Sequence, residues 1–81
     1  MNEQIAEETS LLVLGINSSL DRHLAKLQAH LSPEQFNSVR ADFAQVMAGL
    51  LDIANPIYKQ YPQLKPIQLG GTYAVPPSAL G

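Results

Sequence analysis

The six residues Leu31-Ser32-Pro33-Glu34-Gln35-Phe36, LSPEQF, divide the chain into two stretches that each carry a helical pattern. Ser32 offers a hydroxyl to cap a helix, and Pro33 suits a first helical position, where its missing N–H costs nothing. Gln35 sits where a capping-box partner reaches back. A helix therefore starts at residue 33. Downstream of it Phe36, Val39, Phe43, Val46, Leu50, Ile53 and Ile57 alternate by three and four, which is a heptad seam. A second row, Met47, Leu51, Ala54 and Tyr58, runs beside the first. At about 100° per residue the two rows together span an arc of roughly 160°, more than one neighbouring helix covers. Contacts on two sides are expected.

Asn55-Pro56 interrupts that pattern. Proline removes a backbone donor and crowds the preceding turn. The second helix is therefore expected over residues 33–54, bent at Asn55-Pro56, with Asn55 as a new cap and a short continuation to residue 61.

Upstream of LSPEQF, residues 3–30 hold the first helix. Val13, Ile16, Leu20, Leu24, Leu27 and Leu31 cluster within about 80° on a helical wheel, with Ile5 and Leu12 at one edge. Glu3, Glu7 and Glu8 in the opening turns suit the positive end of a helix dipole. The link between the helices is a residue or two around Leu31-Ser32, so the fold class expected is an all-α antiparallel two-helix hairpin. The hairpin is taken as residues 1–61. Residues 62–81, QLKPIQLGGTYAVPPSALG after Pro62, carry Pro66, Gly70-Gly71 and Pro76-Pro77 and no helical period. An extended Pro/Gly-rich strap is expected there, with Ile67, Leu69, Tyr73 and Val75 lying across the helices and the last residues disordered.

One segment of the first helix, Ser10-Leu11-Leu12-Val13-Leu14-Gly15-Ile16, is apolar all round. Leu12, Val13 and Ile16 belong to the core side, whereas Leu11 and Leu14 point back among Glu7, Ser18 and Arg22. A lone strand has nothing to pair with, and the run is far short of the roughly 20 residues that span a bilayer. Something outside the hairpin must cover this helix. Small two-helix units are seldom stable alone, and closed two-fold dimers are the commonest assembly of one chain type. The expectation is a homodimeric four-helix bundle, with Leu11, Leu12, Leu14, Ile16, Leu20, Phe36, Phe43, Met47, Leu50 and Leu51 in its core and interface. Cover of Leu11 and Leu14 by the strap of the same chain is the alternative. Gly15 either permits a close helix crossing or is merely tolerated at a cost of about 1 kcal/mol.

The 81 residues hold 46% apolar and only 15% charged side chains, with net charge −2 and no cysteine. Disulfides and thiolate metal sites are excluded by composition. The five Lys and Arg are scattered, leaving no basic stripe for nucleic acid. A soluble, cytoplasmic chain that does not enter membranes is expected.

No catalytic constellation emerges. His23 and His30 share a face but stand about 10 Å apart along the axis, too far for one metal ion. Asp42 and Asp52 lie well apart on the polar side, and no phosphate loop, nucleophile elbow or HExxH motif occurs. Gly70-Gly71 precedes no helix and reads as a turn. Neither a cofactor nor a metal is expected, and the chain is not read as an enzyme. Arg40, beside Phe36, Phe43 and Met47, can pair with a partner's carboxylate or snorkel to water. Tyr58, Tyr61 and Tyr73 can line a peptide groove with Pro62 and Pro66, or pack the strap locally. The functional expectation is a protein–protein interaction and oligomerisation module, binding itself and possibly a second protein. The rivals are a carrier of a small hydrophobic ligand between the helices and a peripheral membrane binder through the Leu-rich first helix.

Overall fold

The computed structural model of the chain describes residues 1–80. Two long helices, α1 (Glu3–His30) and α2 (Pro33–Gln60), pack against each other and are followed by three short 3₁₀ turns, Pro62–Leu64, Ile67–Leu69 and Pro77–Leu80. The body measures 44 × 23 × 20 Å. The expected all-α pair of packed helices is what forms.

Both helix starts follow from side-chain caps. The Asn2 carboxamide accepts from the Ile5 amide at 2.9 Å, and Glu3 lies in the first turn of α1. At α2 the capping box is complete: Gln35 N–H donates to Ser32 Oγ at 3.3 Å, and Ser32 N–H donates to Gln35 Oε1 at 3.2 Å. Pro33 occupies the first turn. Extended backbone at Leu31 and Ser32 reverses the chain between them.

Asn55-Pro56 neither ends the second helix nor starts a new one. α2 continues without interruption to Gln60, with Pro56 inside it and no new cap at Asn55. Asp52, whose carbonyl loses its amide donor, and Pro56 are both exposed, so water satisfies the freed oxygen. On the opposite side Ala54, Ile57 and Tyr58 are buried against α1. Packing on both sides of the proline holds the helix in register.

The core sits at the open end of the hairpin. Ala6, Ser10 and Val13 of α1 meet Ala54, Ile57 and Tyr58 of α2, closed off by Leu64 and the fully buried Pro66. Toward the loop, Leu20, Leu24, Leu27 and Leu31 face Phe36, Val39 and Phe43, all half-buried. The heptad seam read along α2 is not followed to its end. Val46 and Ile53 are 55% and 51% exposed, while Met47 and Ala54 beside them turn inward. A straight helix drifts about 20° per heptad relative to a 3.5-residue repeat, so over three heptads the buried line crosses from the first apolar row to the second. The same rotation on α1 leaves Ile5, Leu12 and Ile16 outside.

The tail combines short 3₁₀ turns with extended residues such as Lys65 and Pro66. Gly70, at φ 87°, ends the second 3₁₀ turn in the left-handed region, and a Cβ on Gly71 would collide with the Lys65 carbonyl. These glycines bring Tyr73 beside Pro66 in an isolated parallel bridge, with Tyr73 N–H donating to Lys65 O at 2.9 Å and Ile67 N–H to Tyr73 O at 3.1 Å. The chain then returns along α1, where Pro77–Leu80 docks. Of the expected disordered end, Gly81 lies outside the described residues.

Candidate interaction surface

The hairpin has two broad faces, and the tail takes one of them. Leu11 and Leu14 are half-buried, and Leu14, Asn17 and Ser18 share a depression with Leu69, Val75 and Leu80 of the tail. Gly15 explains how the last turn approaches so closely: a Cβ there would stand 2.7 Å from the Ala79 carbonyl oxygen. Arg22 Nη1 donates to the Leu80 carbonyl at 2.6 Å, and Ser18 Oγ donates to the same oxygen at 3.3 Å. The outer side of the apolar segment is therefore covered from within the chain.

The tyrosines are committed to holding this arrangement. Tyr58 is buried, and its hydroxyl shares a 2.7 Å hydrogen bond with Ser10 Oγ. Tyr61 donates to the Met1 carbonyl at 2.7 Å, and Tyr73 donates to Glu7 Oε2 at 2.8 Å. The Glu7 carboxylate accepts a hydrogen bond from the protonated Tyr73 phenol and so raises the Tyr73 pKa above 10.0, with burial and the carboxylate's charge acting in the same direction. The three hydroxyls close contacts across the chain and do not converge on a shared groove. Arg40 is exposed at the loop end, beside a depression lined by Gln28, Leu31, Pro33, Phe36 and Asn37.

The opposite face has no cover. Ile5 (45% exposed), Leu12 (63%) and Ile16 (40%) of α1 lie on it with Val46 and Ile53 of α2. Their common side follows from the helical period: Val13, Leu14, Leu50, Leu51 and Ala54 line a cleft with Leu69 on the tail side, and the five lie on the other edge of the helix–helix contact. An apolar groove of about 450 Å³ separates Leu11, Leu12, Gly15, Ile16 and Leu20 of α1 from the last turn at Ser78-Ala79, with no residue of α2 in its lining. Of the interface residues read from the sequence, the structure places Leu12 and Ile16 on the open face. Leu11, Leu14 and Leu51 fall toward the tail, with Leu51 44% exposed. Leu20, Phe36, Phe43, Met47 and Leu50 are half-buried along the hairpin contact. Val46 and Ile53 escaped the sequence reading because a strict heptad assigns them to the core; a 3.6-residue period points them outward.

Comparison with protein-family models, with curated proteins and with solved structures finds no match. The surface itself must carry the reading. Among the described residues no group of His, Cys, Asp or Glu is placed to hold a metal ion, and no helix is long and apolar enough to cross a membrane.

Proposed function

We propose that the chain is a non-catalytic helical interaction module that works by self-association, two hairpins forming a four-helix bundle. The observation that carries this is the uncovered apolar face of Ile5, Leu12, Ile16, Val46 and Ile53. In a dimer it becomes the inside of a bundle, giving each helix the second neighbour that its wide apolar arc calls for. The interface so placed differs from the one read by sequence, since Leu11 and Leu14 have their own cover. A cytoplasmic location belongs to the same proposal, and cell fractionation tests it.

The carrier alternative is less well supported, because the cleft between the helices offers only about 50 Å³, against roughly 300–1,000 Å³ for small-molecule sites. A membrane-surface role is opposed by Glu3, Glu7 and Glu8, which crowd the start of α1 where such helices ordinarily carry Lys and Arg.

Sedimentation equilibrium over a hundredfold concentration range tests the proposal, with Leu12→Asp as the variant. Losing a buried leucine costs about 1.5–3 kcal/mol and a two-fold interface contains it twice, so the dimer constant should weaken more than a hundredfold while helicity is kept. A wild-type chain that remains monomeric throughout refutes self-association.

A further inference from the structure

We infer that the seat of the last turn on α1 is a binding site occupied in cis. Pro77–Leu80 is its built-in occupant, displaced by an apolar helical segment of another protein that ends in a carboxylate. This goes beyond the self-association reading and does not rest on it.

The contacts that hold the turn are made to its main chain. Gly15 leaves room for the Ala79 carbonyl, since a Cβ there would stand 2.7 Å from that oxygen. Arg22 Nη1 and Ser18 Oγ donate to the Leu80 carbonyl at 2.6 and 3.3 Å. Carbonyls without an intrahelical partner are what every helix presents at its C-terminal end, so the seat fits a helix end in general rather than this sequence alone. The turn also fills its seat poorly. None of its residues is buried. On one side it leaves the groove of about 450 Å³ along Leu11, Leu12, Ile16 and Leu20. On the other, a depression of about 240 Å³ opens between Leu14 and the tail's Leu69 and Val75. A helix, about 10–12 Å across with its side chains, supplies the breadth that a single turn lacks.

Charge sets what the segment carries at its end. Past Ser19 the groove continues into a depression lined by Arg22, His23 and Lys26. No carboxylate lines it, and Asp21 belongs to the depression on the other side of the turn. The turn runs in the direction of α1, with Ala79 at Gly15 and Leu80 at Ser18 and Arg22. A helix on the same path brings the negative end of its dipole to these cations, and a terminal carboxylate adds charge-assisted hydrogen bonds. Its positive start then lies toward Glu8, exposed one helical turn before Leu12. A second copy of this chain suits the seat less well. Its own helix ends carry His30 on α1 and Lys59 on α2, which repel cations.

The track from Glu8 to Lys26 is about 27 Å long at 1.5 Å of rise per residue, which sets a test peptide of about 18 residues. The peptide is a labelled helix of alanine, glutamine and leucine, its leucines three and four apart, made with a free C-terminal carboxylate or an amide. Fluorescence anisotropy compares its binding to the wild-type chain and to Ala79→Pro. That substitution removes the N–H that donates to Pro76 O at 3.0 Å and disfavours helical backbone at Ser78, so the turn is lost while α1 is untouched. With the open state of the wild type populated at about 0.1–10%, it should bind about 10–1,000-fold more weakly than Ala79→Pro. The free carboxylate should bind more tightly than the amide, and Lys26→Ala should narrow that difference. In the wild type, excess peptide should speed amide exchange at Ala79, a readout that holds whether or not the variant folds. Equal affinity of the two chains, or unchanged Ala79 exchange at saturating peptide, overturns the proposal. An Ala79→Pro chain that ignores the peptide but gains mass in sedimentation makes a second copy the occupant and overturns the assignment to another protein. A wild-type chain that is monomeric and still binds as described refutes self-association alone.

Discussion

Alanine at Gly15 and alanine at Gly49 should act in opposite directions, although both residues sit inside helices. In isolation each replacement gains about 0.5–1 kcal/mol, because glycine loses more backbone freedom on folding. At Gly49 nothing stands within 4 Å of the new methyl, so in dilute monomer the gain is realised. At Gly15 the methyl meets the Ala79 carbonyl oxygen at 2.7 Å where ordinary contact begins at 3.4 Å, so the last turn must retreat by about 0.7 Å. The two bonds to the Leu80 carbonyl, 2.6 Å from Arg22 and 3.3 Å from Ser18, are stretched in the process. Each is worth about 0.5–1.5 kcal/mol, the Arg22 bond toward the lower end because it is exposed. Re-exposure of Leu11 and Leu14 adds about 0.8 kcal/mol for each methylene uncovered. Gly15→Ala is thus expected to lose about 1–2 kcal/mol net, lowering Tm by roughly 5–10 °C in a domain of this size. Urea unfolding followed by circular dichroism reads the stability. Amide exchange at Ala79, whose N–H donates to Pro76 O at 3.0 Å, reads the turn. A Gly15→Ala chain that gains stability like Gly49→Ala, with Ala79 exchange unchanged, would refute the docking of the tail.

Two further outcomes follow from the tyrosines. Tyr58→Phe leaves the buried Ser10 hydroxyl without its 2.7 Å partner and should cost about 1–2 kcal/mol in urea unfolding, with Ser10→Ala added to it costing little more; a loss below 0.3 kcal/mol, by about the accuracy of such comparisons, counts against the bond. Tyr73 has its pKa raised from 10.0 chiefly by its hydrogen bond to Glu7, so the folded state favours the protonated phenol. Its contribution is present below pH 10.0 and declines as pH rises through that value toward the raised folded pKa. Tyr73→Phe should flatten this alkaline loss in a pH series of unfolding curves, and an unchanged series would disprove the link.

Most of the hairpin was legible in neighbouring residues. Ser32, Pro33 and Gln35 form the complete capping box they spell out, because a cap is a contact among residues a turn apart. The period of Val13, Leu20, Leu24 and Leu27 likewise marks one side of α1. Pro56 does not end α2. Its local cost is real, but burial of Ala54, Ile57 and Tyr58 on the far side of α2 outweighs it, and that burial comes from α1. Tyr58 and Ser10 give no sequence signal of their bond, since neither residue type nor spacing specifies a partner so distant in the chain.

What the sequence determined by itself is therefore the pair of helices, their reversal at Leu31-Ser32 and the excess of apolar surface on both. Only the tertiary structure decided which apolar row turns inward along α2, and that Leu11 and Leu14 are covered while Leu12, Ile16, Val46 and Ile53 are not. Caps and turns are energies among near neighbours and can be read in place. The choice of face depends on the slow rotation of a 3.6-residue helix against its neighbour and on a tail whose Ala79 reaches back to Gly15, and those exist only once the chain has closed on itself.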